Sequence, residues 1–194
     1  MKRYERYKDS GVQWIGEIPE HWEVNQFRRL FEIKKEIANS LEFEVLSVTQ
    51  QGLKVKDIES NEGQMASDYS KYQIVNIGDF VMNSMDLLTG YVGCANRKGV
   101  TSPDYKSFKV RNNAEIDNQY YLSIFQLCYK ARIFYNMGRG VSNKGRWRLP
   151  SENLNRFSLP HPPISEQHTI AAYLKDKTLK IDQYVAARER ERAA

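Results

Sequence analysis

The stretch from Leu149 to Asp182 changes its structural period part-way, and that change limits what the chain can fold into. Phe157, Leu159 and His161 alternate with Ser158 and Pro160, the pattern of an extended segment. Pro160, Pro162 and Pro163 then exclude a helix, because proline lacks an amide donor and biases its predecessor toward extended angles. Ser165 follows as a natural N-cap, and Glu166 places negative charge on the first helical turn. From there Ile170, Leu174, Ile181 and Tyr184 recur at spacings of four, seven and three residues. That is one stripe of a helix, compatible with a coiled-coil seam and interrupted by Lys177. The expectation is a compact domain over residues 1–163 that ends on a stiff proline segment and hands over to a projecting helix, residues 164–194.

Upstream, the signals are short. Residues 1–13 form a polar lead-in, and Trp14, Ile15, Ile18 and Trp22 around Gly16 and Pro19 read as an extended anchor packed on the domain. Glu42 to Val48 reads as a strand. Residues 49–71 are polar, contain Gly52 and Gly63, and read mostly as loop. Tyr72 to Asn83 reads as two strand pieces joined tightly at Gly78-Asp79, or as one bent strand. Tyr91-Val92 and Ser107 to Val110 suggest further strands. Asp117 is placed to cap a helix with the stripe Tyr121, Leu122, Phe125, Cys128 and Tyr129, ending before Gly138. Short, mostly antiparallel strands interleaved with a few helices make this an α+β domain rather than a doubly wound one.

The chain has 194 residues, 41% of them hydrophobic, which suits one folded domain with an appendage. The formal net charge of +5 permits an anionic partner without demanding one. Its distribution says more: residues 61–149 carry 12 basic against 7 acidic side chains, and the two flanking stretches are nearly balanced. Cys94 and Cys128, far apart and outside any metal spacing, read as reduced, buried thiols. Met1 to Lys8 is polar with no hydrophobic region after it, and no apolar run approaches the roughly 18 residues that span a membrane, so the cytoplasm is the expected compartment.

The positive charge concentrates in two places. Residues 138–148 carry Arg139, Lys144, Arg146 and Arg148 among three glycines, with Ser142 and Asn143 between them and no acid. Arginine can bond two acceptors on a guanine edge or a phosphate, asparagine can do the same to adenine, and glycine lets backbone approach a duplex. A merely solvated basic loop is the competing reading, with Trp147 anchoring it in the core. Arg97, Lys98, Lys106, Lys109 and Arg111 make a second basic segment opposed only by Asp104. Phosphate contact and a strand with its polar side in water are both open there, Arg97 and Lys98 being the better contacts because Gly99 puts them near a loop.

Enzyme signals fail. Pro162-Pro163 follows His161 and precedes Ile164, so it lacks the amide and aromatic residues of an amino-methyltransferase motif. No glycine-rich strand-to-helix loop suits S-adenosylmethionine. Pro103-Asp104 has no acid-x-Lys partner for nuclease chemistry. His21, His161 and His168 are too scattered in sequence to propose as metal ligands.

The segment LPHPPISEQHTIAAYLKDKTLKID resembles the junction in specificity subunits of type I restriction-modification systems, where a target recognition domain meets its spacer helix. YKDSGVQWIGEIPEHWEV resembles the opening of the same subunits, and IVNIGDFVMN and RWRLPSENLNRFSLPHPP resemble their internal landmarks. Each match is degenerate alone; the four in this order are specific and bracket nearly the whole chain. The resemblance implies a DNA-recognition subunit without an active site of its own. In that family two recognition domains each read half of a split double-stranded DNA target, and antiparallel helices space them and dock the modification subunits. Those subunits methylate adenine with S-adenosylmethionine, and restriction subunits use ATP and Mg to translocate and cut. No cofactor is then expected on this chain. With one domain and the beginning of one helix, it departs from the family pattern and is expected to be either an excised fragment or a half-subunit that self-associates through the helix; the unfinished look of Arg188 to Ala194 favours a fragment. The implied DNA contacts are Arg97, Lys98, Arg139, Ser142, Asn143, Lys144, Arg146 and Arg148, and the helix-partner seam is Ile170, Leu174, Ile181 and Tyr184. The alternatives are a stand-alone methyltransferase or nuclease, and a protein-interaction module that self-pairs through its helix without reading sequence.

Overall fold

The structure, a computed structural model, describes residues 4–57, 68–140 and 147–193. The lead-in forms a hairpin of β1 (Tyr7–Asp9) and β2 (Glu17–Pro19), followed by β3 (Glu23–Gln26), α1 (Phe27–Leu30) and β4 (Phe31–Lys34). Next come β5 (Leu46–Thr49), β6 (Gly52–Val55), β7 (Gln73–Val75), β8 (Phe80–Met82), β9 (Val92–Cys94), β10 (Gly99–Thr101) and β11 (Lys106–Val110). The chain then turns helical in α2 (Asn118–Lys130), α3 (Ile133–Asn136) and α4 (Ser151–Arg156), crosses in β12 (Ser158–His161), and finishes in α5 (Ile164–Ala193).

The organising layer is a four-stranded antiparallel sheet ordered β4-β11-β8-β9. Phe108 on β11 lies opposite Ile33 on one side and Phe80 on the other. Phe27, Phe31, Phe80, Phe108 and Phe125 are all fully buried, with Phe80 and Phe108 stacked at 5.2 Å and Phe125 of α2 edge-on to both. Offset and edge-on rings at these distances add about 0.5–1.5 kcal/mol per pair beyond burial. Asp117 caps α2 as its residue type directs, its carboxylate accepting from the amides of Gln119 and Tyr120, both at 2.8 Å. The helix lays Tyr121, Phe125, Cys128 and Tyr129 onto the sheet.

All three residues of β8 are buried because the strand has cover on both faces. Phe80 and Met82 join the aromatic core, whereas Val81 joins a smaller cluster with Leu46, Val75 and Ala95. A fully covered strand loses the polar–apolar alternation of a half-exposed one. The turn before it is built around Gly78, at φ +87, and Asp79, whose buried carboxylate accepts from the Asn76 amide and pairs with Lys34. The two strand pieces expected around this turn are both present, but they do not pair with each other. β7 pairs with β10, and β8 with β11 and β9.

Residues 49–71 are mostly loop and turn over their described part, as expected, but they also hold β6, which forms a hairpin with β5 because Leu53 finds cover in the smaller cluster. One local expectation is corrected. Ser165 is not a cap, since α5 already begins at Ile164 and Ser165 lies inside its first turn. Cys94 and Cys128 are free thiols, half-buried and buried; burial and then the charge of Asp79 push Cys94 up to about 11, and burial raises Cys128 further. Among the described residues no helix is long and apolar enough to cross a membrane.

The root of α5 is docked through polar groups. Glu166 accepts from the Tyr4 hydroxyl at 2.6 Å and from Trp22 Nε1 at 3.0 Å, with His21 Nε2 2.5 Å from its other oxygen. Fully buried Gln167 donates to the carbonyls of Glu115 and Pro162 and accepts from the Asp117 amide. His168 Nδ1 lies 2.6 Å from the Asp117 carboxylate. Burial works to raise both carboxyls, but the hydrogen bonds outweigh it and hold Glu166 and Asp117 below the ordinary range. A depressed folded-state pKa adds stability above the unfolded value, about 4, and loses it as pH falls through the folded value. Docking of the α5 root should therefore be intact at pH 6 and loosen below pH ~4. Amide exchange across residues 164–172, compared at pH 5 and pH 3 after correction for intrinsic rates, checks this; equal protection at both would contradict it.

Candidate nucleic-acid interface

The basic loop stands on a defined neck. Arg139 and Arg148 exchange two backbone hydrogen bonds, at 2.8 and 3.0 Å, and so face each other across a one-pair antiparallel bridge. Ser142, Asn143, Lys144 and Arg146, four of the expected DNA contacts, lie outside the described residues.

Trp147 anchors the returning strand of this neck, as its residue type suggested. Its ring stacks on Tyr135 at 5.3 Å and its Nε1 donates to the Tyr135 carbonyl at 2.6 Å. Gly138 and Gly140 run directly under that ring. A Cβ at Gly138 would lie 2.3 Å from Trp147 Cδ1, and one at Gly140 2.2 Å from its Cε3. The glycines are required by close approach of backbone to an aromatic face. Leu149, buried, donates its amide to the Ser84 carbonyl, and Asn153 of α4 donates to the Met137 carbonyl.

The second basic segment does not stay together. Lys106 turns toward the loop neck: its ammonium donates to Ser151 at 3.0 Å, and burial, then the nearby charge of Arg148, pull it below the usual lysine value. Lys109 and Arg111 lie at the other end of β11, 4.0 and 3.8 Å from Glu32. Arg97 sits 3.6 Å from Glu44, and Lys98 lies over the Phe43 ring at 5.1 Å. Lys106, Arg139 and Arg148 are thus gathered, while Arg97 and Lys98 form a separate, partly neutralised corner. Sequence reading did not single out Lys106 as a site residue, because it lies 45 positions from Ser151 and only the fold joins them.

Arg139 and Arg148 are both exposed, and among the described residues neither has an ion-pair partner. Like charges directly opposite in a strand pair destabilise it. With Lys106 beside them, they make a positive site suited to an anion such as phosphate.

The helix seam divides as well. Leu174, Ile181 and Tyr184 are 38%, 62% and 62% exposed, whereas Ile170 is half-buried against the aromatic core. Ile170 therefore helps seat the root of α5. Lys177 lies over the Tyr173 ring at 5.4 Å. The three histidines, scattered in sequence, all bond near this root: His21 to Glu166, His168 to Asp117, and His161 to the Tyr121 hydroxyl at 2.7 Å. Among the described residues no three His, Cys, Asp or Glu side chains gather as a metal site.

Comparison with known proteins gives the family. Residues 19–183 match the type I restriction modification DNA specificity domain. The fold is similar to a crystal structure of the HsdS subunit from Thermoanaerobacter tengcongensis, with a TM-score of 0.56 and 16% identity over 95% of this chain. It is similar at the same score to a chain of a type I R-M system solved for its complex assembly and conformational transition, 17% identical over 96% of this chain. The type I restriction-modification S subunit from M. genitalium matches 86% of the chain at 15% identity, again with a TM-score of 0.56. The chain spans only 41–44% of the length of these structures. The family domain is one of DNA recognition and not of catalysis, in line with the reading of a non-enzyme. With more than four of every five residues inside the family match, the chain belongs to the type I restriction-modification DNA specificity domains.

Proposed function

We propose that this chain reads one half of a bipartite double-stranded DNA target, with the loop between Arg139 and Arg148 as its reading element. On this reading residues 1–163 are the recognition domain, and α5 begins the spacer that docks the modification subunits. S-adenosylmethionine belongs to those subunits, and ATP with Mg to the restriction subunits; the complex works in the cytoplasm and needs no membrane. The observation that carries the reading is the pair of opposed arginines at the loop neck, without an ion-pair partner among the described residues and with Lys106 beside them. Arg139, Arg148, Lys106 and Lys144 are assigned to phosphate. Asn143 and Arg146 are assigned to base edges, where an amide suits adenine and a guanidinium suits guanine. Ser142 supplies a further hydroxyl.

The isolated domain covers one half-site, so its DNA affinity should be on the order of 10⁻⁴–10⁻⁶ M at physiological salt and fall steeply as salt rises. Arg148→Ala and Lys106→Ala should each reduce the slope of log affinity against log salt by about 1, and Arg97→Ala by less. Fluorescence anisotropy across a salt series measures all three. Unchanged slopes for the first two, with a reduced slope for Arg97→Ala, would move the interface to the Arg97–Lys98 corner.

A second reading concerns the tail. Leu174, Ile181 and Tyr184 leave an apolar stripe on α5 without cover, and a second copy of the helix is a chemically suited partner. Sedimentation should show weak, concentration-dependent self-association that Leu174→Asp abolishes; a monomer at high concentration removes this reading.

A further inference from the structure

We infer that Glu166 is a positioning residue that fixes the direction in which α5 leaves the domain, with the N-terminal segment acting as its brace. Consecutive helical residues point about 100° apart, so Glu166, Gln167 and His168 face three different walls. Gln167 is held by the carbonyls of Glu115 and Pro162 and the Asp117 amide, and His168 by the Asp117 carboxylate. Both anchors thus centre on the segment leading into α2. Glu166 alone of the three is held by the chain's beginning, through Tyr4, His21 and Trp22, partners 144 to 162 positions away. Gln167, His168 and the packed Ile170 and Ala171 tie the root to the body of the domain, and Glu166 adds an attachment to a different element that resists rocking about the others.

Among the described residues, none beyond the root packs on the helix to direct it. Every residue from 172 to 185 is exposed, and Ala171 is the last buried one. From Ala171 to Ala193 the helix extends about 33 Å at 1.5 Å per residue, so a 10° change at the root moves its far end by about 6 Å. Three donors on one carboxylate therefore control a displacement as large as a helical turn. The arrangement also accounts for the lead-in, whose exposed strand β1 contributes little to the core while Tyr4 just ahead of it reaches α5. The consequence for DNA rests on the function proposed above: the exit direction of α5 sets where a second recognition domain and its half-site lie.

The test measures direction rather than stability. Spin labels are placed at Lys130 on α2 and Glu189 on α5 through a ketone-bearing amino acid, which leaves Cys94 and Cys128 untouched. Pulsed dipolar spectroscopy is run where sedimentation shows a monomer. The parent should give a single narrow distance distribution. Glu166→Ala should widen it at least twofold, Glu166→Gln should fall between, and the midpoint of thermal unfolding should move by only a few degrees. If Glu166→Ala does not fold, the pair Tyr4→Phe and Trp22→Phe, which removes two donors and keeps the charge, must produce the widening. An unchanged distribution in the folded variant overturns the inference. Failure of the DNA reading would show separately, as a parent protein without sequence-dependent binding and with its distance distribution unaffected.

Discussion

Gly138→Ala should cut sequence discrimination by thirtyfold or more while leaving the domain folded. The added Cβ would meet Trp147 at 2.3 Å and Leu87 Cδ1 at 2.8 Å, so the indole cannot keep its place. Moving it breaks the stack on Tyr135 and the 2.6 Å bond to the Tyr135 carbonyl. Arg148 follows directly, so the neck that sets the loop's direction shifts with the ring. Two base contacts, proposed for Asn143 and Arg146, are worth about 1–3 kcal/mol each, and both depend on that direction. Non-specific affinity should change much less, because attraction to phosphate tolerates misplacement. Trp147→Phe, which retains a stacking ring and loses the donor, should fall between parent and Gly138→Ala. Sequencing of methylated sites in a reconstituted modification complex, beside a thermal melt, measures both quantities. Parent-like discrimination in Gly138→Ala would mean that the loop does not take its direction from Trp147.

Phe108→Ala should cost about 3–5 kcal/mol, the largest stability loss expected of a single side chain here. Phe108 is fully buried at the middle of β11 and touches the rings of Phe27, Phe31, Phe80 and Phe125. Its removal takes away transfer free energy and four ring contacts, and leaves a hole that packed rings cannot collapse into. Against a typical total of 5–15 kcal/mol, this brings the domain close to unfolding at 37 °C. Phe108→Leu, which keeps most of the volume, should cost markedly less. Urea denaturation by tryptophan fluorescence gives both values; a loss under 1 kcal/mol for Phe108→Ala would contradict the aromatic cluster as the centre of the core.

Much of the local structure was legible in the residues. Asp117 capping α2, the stripe Tyr121, Leu122, Phe125, Cys128 and Tyr129 (Leu122 only half-buried at its edge), and the passage from β12 through Pro162-Pro163 into α5 all appeared as expected. Trp147 as the anchor of the basic loop was also legible, from its size among glycines and charges. Ser165 misled because the helix-start rule weighs side-chain type, whereas here the carbonyl of Pro163 accepts the first amides, from Glu166 and Gln167, and the cap position falls two residues sooner. β6 was hidden because its four residues carry two lysine-flanked apolar positions, too short a signal without knowledge of what covers Leu53.

What the sequence determined by itself is what depends on neighbours within a few residues. Helical stripes, caps and proline stops act over one or two turns, so periodicity and residue type suffice for the α+β class, the extended-to-helical switch and the order of family landmarks. Strand pairing and polar convergence depend on residues that the chain brings together from far apart. Only the tertiary structure could send β7 and β8 to different sheets, carry Lys106 to Ser151 and away from Arg97, set Arg139 against Arg148, and turn Ile170 inward. It also decided that Tyr4, His21 and Trp22 meet on Glu166. A carboxylate at the start of a helix looks the same in sequence whether water or the other end of the chain holds it; which one does follows from packing, because buried or crowded polar groups must find whatever donors the fold delivers.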